Sequence, residues 1–210
     1  MNTNRNLFLM SLPIFVELLL QLLVGNVDQM MVSRVSQPSV AAIVNANQIM
    51  NLVIIVLSMA STAVTVILSQ YLGAQDEKNA SRTCMVSIVL ISGVSLAATI
   101  LVFAGHTPLY RAIHVPEEVF DEASLYLLIV GAFILVQGLY LTFSAMIRAF
   151  AMVKEVMIIS VIMNAMNIVG NAILINGWFG MPQLGAVGAA ISTDISKLVG
   201  LALMIGMFFK

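Results

Sequence analysis

Charge is the scarcest property of this sequence. Its 210 residues include nine Lys or Arg and ten Asp or Glu, 9% of the chain, against roughly 25% in a soluble domain. So few charges cannot cover the surface of a soluble fold of this length, and that class is excluded. The formal net charge of −1 offers no basic surface for nucleic acid, which is not expected as a partner. Cys84 is the only cysteine, so no intrachain disulfide can form. Enzyme signatures are missing as well: there is no HExxH, no nucleotide-binding glycine loop and no G-x-S-x-G elbow. Neither an enzyme nor a cofactor is expected. His106 and His114 fall in one short loop without metal-ligand spacing and read as surface histidines. No internal repeat of about 20–50 residues is visible.

What the chain has in abundance is apolar surface, 60% of its residues. A bilayer core about 30 Å thick takes roughly 20 apolar residues per helix. Six spans therefore use about 120 residues and leave about 90 for helix ends and short loops. Polar or glycine-containing breaks cut six runs, at 7–32, 40–72, 84–104, 119–147, 155–176 and 184–209. Runs this long with loops this short cannot close a barrel, and backbone groups in lipid need internal partners, so the spans are helices. The expectation is an all-α membrane protein, one six-helix transmembrane lobe over residues 1–210. The first run lacks a small-residue cleavage site and exceeds a signal-peptide core, so it reads as a retained span. Pro13 should kink it. Pro116, followed by Glu117, Glu118, Asp121 and Glu122, marks a helix start.

Basic residues near the span ends set orientation. Arg5, Lys78, Arg82, Arg148, Lys154 and Lys210 collect on one side, Arg34 and Arg111 on the other. Both termini are thus expected in the cytoplasm of a multi-pass cell-membrane protein.

Four ionisable residues lie within the spans: Glu17, Asp28, Asp194 and Lys197. Each costs about 2.5–3.5 kcal/mol at a lipid-facing helix centre, so such residues face an interior and often mark ion or substrate paths. With Glu17 at zero, Gln21 and Asp28 fall within about 40° of it on a helical wheel. Asp28 also lies near the end of its span, where solvation alone accounts for it. Glu17 serves equally well as a structural hydrogen-bonding group. Ser160, Asn164, Asn167 and Asn171 form one stripe on the fifth span. Such amides either glue helices together or offer oxygens to a hard cation. The sixth span carries Gly185, Ala189, Ser192, Ser196 and Gly200 at three- and four-residue spacing, a close-packing pattern. Asp194 and Lys197 lie on another face of it and read as a local ion pair. Gln48 and Asn51 on the second span, and Gln137, Tyr140, Ser144 and Arg148 on the fourth, suggest a shared polar interior. Of these, Gln48, Asn51, Gln137 and Tyr140, with Asn164, are the candidates to line a substrate cavity.

These residues also carry a family resemblance. The first span, Leu12-Pro13-Ile14-Phe15-Val16-Glu17-Leu18-Leu19-Leu20-Gln21 into Gly25-Asn26-Val27-Asp28-Gln29-Met30-Met31-Val32-Ser33-Arg34, resembles the opening segment of the multidrug and toxic compound extrusion (MATE) family. Ser69-Gln70-Tyr71-Leu72-Gly73-Ala74-Gln75-Asp76-Glu77-Lys78-Asn79-Ala80 is similar to that family's loop between helices two and three. Asn167-Ile168-Val169-Gly170-Asn171 and Gly185-Ala186-Val187-Gly188-Ala189-Ala190-Ile191-Ser192-Thr193 resemble its fifth and sixth helices. After Arg148 the family usually has a glycine-containing turn and a proline, where this chain reads Ala149-Phe150-Ala151-Met152.

The resemblance implies a cation-coupled antiporter exporting small organic compounds, built from two six-helix lobes with the substrate between them. It adds Thr193 and the backbone near Ala189 to Asp28, Asn167 and Asn171 as the site for the coupling ion, Na⁺ or H⁺. Glu17, Gln21 and Asp194 are secondary candidates. The chain then corresponds to the first lobe, with a second lobe supplied by a longer chain or by a second copy. The rival functions are a lipid-linked oligosaccharide flippase, which needs a basic cavity that Lys197 alone does not make, and a non-transporting membrane assembly subunit.

Overall fold

The computed structural model describes residues 12, 13, 15, 16, 19, 30–33, 37–180 and 182–209. All regular structure among them is helical: α1 (Gln37–Gly73), α2 (Glu77–Ala112), α3 (Glu117–Ala132), α4 (Ile134–Ala149), α5 (Val153–Asn176) and α6 (Gly185–Phe208), with a 3₁₀ turn at Trp178–Gly180. Among the described residues, α1 from Pro38, α2, α5 and α6 are each long and apolar enough to cross a bilayer. Helices α3 and α4 together make a fifth span bent by 46°. Most of the first expected span lies outside the described residues.

The helix ends follow local chemistry. Pro38 enters α1 in its first turn, where a missing N–H costs nothing. Asp76 caps α2 by accepting from the Asn79 N–H at 3.1 Å, between helices joined through Gln75 at φ 55°. Pro116 precedes α3, whose first turn holds Glu117 and Glu118, as the proline-and-acid pattern indicates. Gly177 ends α5 in the left-handed region, at φ 73°.

Helix α2 runs well past the apolar stretch expected at 84–104, because a capped helix continues through polar residues outside lipid. It carries His106 within it, the ring Nδ1 lying 3.0 Å from the Phe103 carbonyl. His106 is therefore a helical residue, and only His114 sits in the loop, exposed at φ 56°.

The bend between α3 and α4 falls at Phe133, inside a stretch that reads in the sequence as one span. No proline is nearby. The Thr99 hydroxyl on α2 donates to the Gly131 carbonyl at 3.3 Å, and the Phe133 N–H turns back to Val130 at 3.2 Å. A side chain engaging the carbonyl ladder is a recognised cause of a kink.

Helix α1 packs against α2, α3, α4 and α6, while α5 rests chiefly on α6. One apolar cluster gathers Ile49, Leu57, Ile91, Leu127 and Ala189. A second gathers Leu68, Phe143, Met146, Met163 and Met204. Leu52, Ile55 and Met59 on α1, and Val89 and Leu101 on α2, face outward, as apolar residues do on a surface solvated by lipid.

Candidate functional site

The α5–α6 pair builds the most polar part of the described interior. Small residues let the two backbones approach. A Cβ on Gly188 would lie 2.7 Å from the Leu174 carbonyl oxygen, and one on Gly170 would collide with Ser192 Oγ. Of the close-packing stripe of the sixth span, Ser192 and Gly200 meet α5, at Gly170 and Met163, whereas Gly185 lies beside Ser39 and Glu122.

Within this contact the asparagine stripe is buried: Ser160 and Asn171 are fully enclosed, and Asn164 and Asn167 nearly so. Asn171 Nδ2 donates to Asn167 Oδ1 at 3.3 Å. Asn167 Nδ2 in turn donates to Thr193 Oγ1 at 3.1 Å. Ser192 Oγ donates to the Asn167 carbonyl at 3.0 Å. The structure thus brings Asn167, Asn171 and Thr193 together, with buried Ala189 one turn before Thr193 on α6.

The interhelical glue is real, yet it does not use up the stripe. Ser160 Oγ and Asn164 Nδ2 are buried without a hydrogen-bond partner among the described residues. A run of amide and hydroxyl oxygens on one face suits a hard cation. Among the described residues, no group of three His, Cys, Asp or Glu could hold a metal ion. Asp28, Glu17 and Gln21 lie outside the described residues.

Asp194 does not join this chain of hydrogen bonds. It is 2% exposed, and neither carboxylate oxygen has a hydrogen-bond partner among the described residues. Lys197 acts on it electrostatically, but the expected local ion pair is not closed by a hydrogen bond. Gln137 and Tyr140 are buried, whereas Gln48 and Asn51 are exposed on α1. Several polar groups on α1 bond to their own helix: Asn45 to the Ala41 carbonyl at 2.8 Å and Thr62 to that of Ser58 at 2.8 Å. Thr65 also reaches across to the Ala145 carbonyl at 3.2 Å.

Two links were hidden in the sequence. Ser192 reads there as a packing residue but also bonds Asn167. Ser39 Oγ donates to the Glu122 carboxylate and so ties the starts of α1 and α3, beside Gly185 at the start of α6. Neither link has a local signal, because each joins residues far apart in the chain.

The MatE family model matches residues 13–173, more than three quarters of the chain. The chain belongs to the MatE family. It is 39% identical over 200 residues to the uncharacterized transporter YisQ of Bacillus subtilis (strain 168), covering 95% of this chain and 44% of that protein. It is 28% identical over 213 residues to the probable multidrug resistance protein NorM of Thermotoga maritima, covering 98% and 44%. A crystal structure of a MATE protein in complex with MaD3S shares the fold, with a TM-score of 0.88, 21% identity, and coverage of 95% of this chain and 44% of that one. The chain therefore spans less than half the length of the relatives it matches. The MatE match includes Asp28, Asn167 and Asn171 and stops short of Thr193. After Arg148, in the α4–α5 connection, Ala151 sits at φ 60°.

Proposed function

We propose that this chain is the first lobe of a MATE-type antiporter that exports small organic compounds at the expense of Na⁺ or H⁺ entry. Residues 1–210 form one six-span unit with its first span at 7–32, both termini on the cytoplasmic side of the cell membrane, and no enzymatic activity or cofactor. Asp28 carries the coupling ion. Asn167, Asn171, Thr193 and the backbone of Ala189 supply neutral oxygens, and Glu17, Gln21 and Asp194 are second in line. Gln48, Asn51, Gln137, Tyr140 and Asn164 contribute to the substrate path.

The observation that carries this reading is the buried chain from Asn171 through Asn167 to Thr193, which joins α5 to α6 inside an apolar bundle. A carboxylate brought to such a site is disfavoured as a bare charge, and so takes up a proton or a cation. Exchange between the two couples ion entry to a rearrangement of the first span near Pro13. A second six-helix lobe, from a longer chain or another copy, completes the substrate cavity, since one lobe alone has nothing to rock against.

The test is reconstitution of the lobe together with its second lobe in proteoliposomes loaded with ethidium. Efflux that requires an imposed Na⁺ or H⁺ gradient supports the proposal. Efflux indifferent to both gradients overturns it, as does transbilayer movement of a lipid-linked pyrophosphate in place of ethidium. The flippase reading has less support, because Lys197 is the only basic residue deep in an expected span. The assembly-subunit reading leaves the buried Asp194 without a purpose.

A further inference from the structure

A cleft of about 510 Å³ lies between α1 and α2, away from the α5–α6 site. Its walls change character along their length. Tyr71, Asn79 and Arg82 line it near the α1–α2 turn, and Ala63, Ile67 and Leu90 line it farther in. From Arg82 to Leu90, and from Tyr71 back to Ala63, is eight residues on each helix, about 12 Å at 1.5 Å per residue. That depth covers most of one leaflet of a core about 30 Å thick. Ala63, Ile67, Arg82 and Leu90 are all exposed, so the cleft is open along its length. Small side chains at Ala60 and Ala63 create the room.

The charge at the mouth is arranged for an anion. Arg82 faces the cleft and Lys78 lies one turn before it, exposed on the same helix. Asp76 and Glu77 formally offset these two charges, but unlike Arg82 neither lines the cleft; the Asp76 carboxylate accepts the Asn79 N–H at 3.1 Å and Asn79 Nδ2 at 2.6 Å. Glu77 is the remaining acid of this turn and is exposed at the start of α2. A basic, hydrogen-bonding mouth above an apolar trough of leaflet depth has the polarity of a phospholipid, with its phosphate outward and an acyl chain inward. Basic recesses between membrane helices take lipid headgroups on this principle.

From this geometry we infer that the α1–α2 cleft is a binding site for an anionic glycerophospholipid, with its phosphate on Arg82 and one acyl chain against Ala63, Ile67 and Leu90. The site is independent of ion coupling. It makes the tight turn at Gly73–Asp76 an interfacial anchor for the hairpin.

The experiment is native mass spectrometry of the purified full chain released from detergent micelles, with phosphatidylglycerol or phosphatidylcholine added at equal concentration. Wild type should retain phosphatidylglycerol in preference to phosphatidylcholine. Arg82→Gln should lower phosphatidylglycerol retention about fivefold, the effect of one basic side chain at an anionic lipid surface. Ala63→Phe should lower retention of both lipids by filling the trough. Lys154→Gln, a basic residue outside the cleft, should change neither. Thermal melting of each variant confirms that it is folded, and Arg82→Gln changes only an exposed side chain, so that arm stands even if Ala63→Phe does not fold. Equal retention by wild type and Arg82→Gln overturns the proposal. So does an absence of retained lipid, as expected if a second lobe covers the cleft.

Discussion

Adding one methyl group at Gly188 should separate the two helices that carry the asparagine chain. The new Cβ would lie 2.7 Å from the Leu174 oxygen and 2.8 Å from its carbonyl carbon. Those atoms cannot swing aside, because the Leu174 carbonyl also accepts the Leu184 N–H at 3.0 Å in the α5–α6 connection. Ordinary contact begins near 3.4 Å, so α6 must retreat by about 0.7 Å, enough to overpack a close interface. A retreat of that size takes the Asn167–Thr193 hydrogen bond from 3.1 Å beyond the usual range. Overpacking costs about 1–3 kcal/mol, and a lost interhelical hydrogen bond adds about 0.6 kcal/mol. Replacing glycine by alanine in a helix returns about 0.5–1 kcal/mol, so the clash wins. Gly188→Ala should therefore lower the melting temperature of the detergent-purified protein by roughly 2–8 °C, followed by size-exclusion fluorescence after heating. Gly93→Ala and Gly206→Ala, where a Cβ meets nothing within 4 Å, should melt at or slightly above wild type. A Gly188→Ala protein that melts with them would refute the close approach of α5 and α6.

Ala151→Gly should stabilise the protein by about 1 kcal/mol, because an L-residue at φ 60° gives up roughly that amount to glycine; a drop in melting temperature contradicts it. Asn167→Ala removes the acceptor of Asn171 and the donor to Thr193, and should cost about 1–3 kcal/mol of stability in the same assay, whereas no change would make the amide chain incidental. In a background with Cys84 replaced, membrane-impermeant thiol reagent applied from outside should label cysteine at His114 and not at Lys78, both exposed positions. The reverse pattern inverts the orientation.

What could be read from the chain depended on whether a signal was local. Asn164, Asn167 and Asn171 stand out because amides at helical spacing in an apolar run have few uses, and the structure buries all three. The small residues from Gly185 to Gly200 announced close packing for the same reason. The break at Phe133 could not be read, because its cause is Thr99, a hydroxyl on another helix that reaches the Gly131 carbonyl. The extent of α2 was hidden because hydropathy marks only the part of a helix that suits lipid, whereas the helix runs from Glu77 to Ala112. Asp194 and Lys197 looked like a pair by spacing alone. Spacing does not fix side-chain direction, and the carboxylate stays buried without a hydrogen bond from any described residue.

The central claim, that Asp28 couples ion entry to export, is tested most directly by Asp28→Asn in the complete transporter. The substitution keeps the side-chain shape and removes the titratable charge. Ethidium efflux from proteoliposomes should lose its dependence on the Na⁺ or H⁺ gradient and fall to the leak rate, with membrane insertion and melting temperature unchanged. Efflux at the wild-type rate with the same gradient dependence would contradict the account and move the coupling site to Glu17 or Asp194.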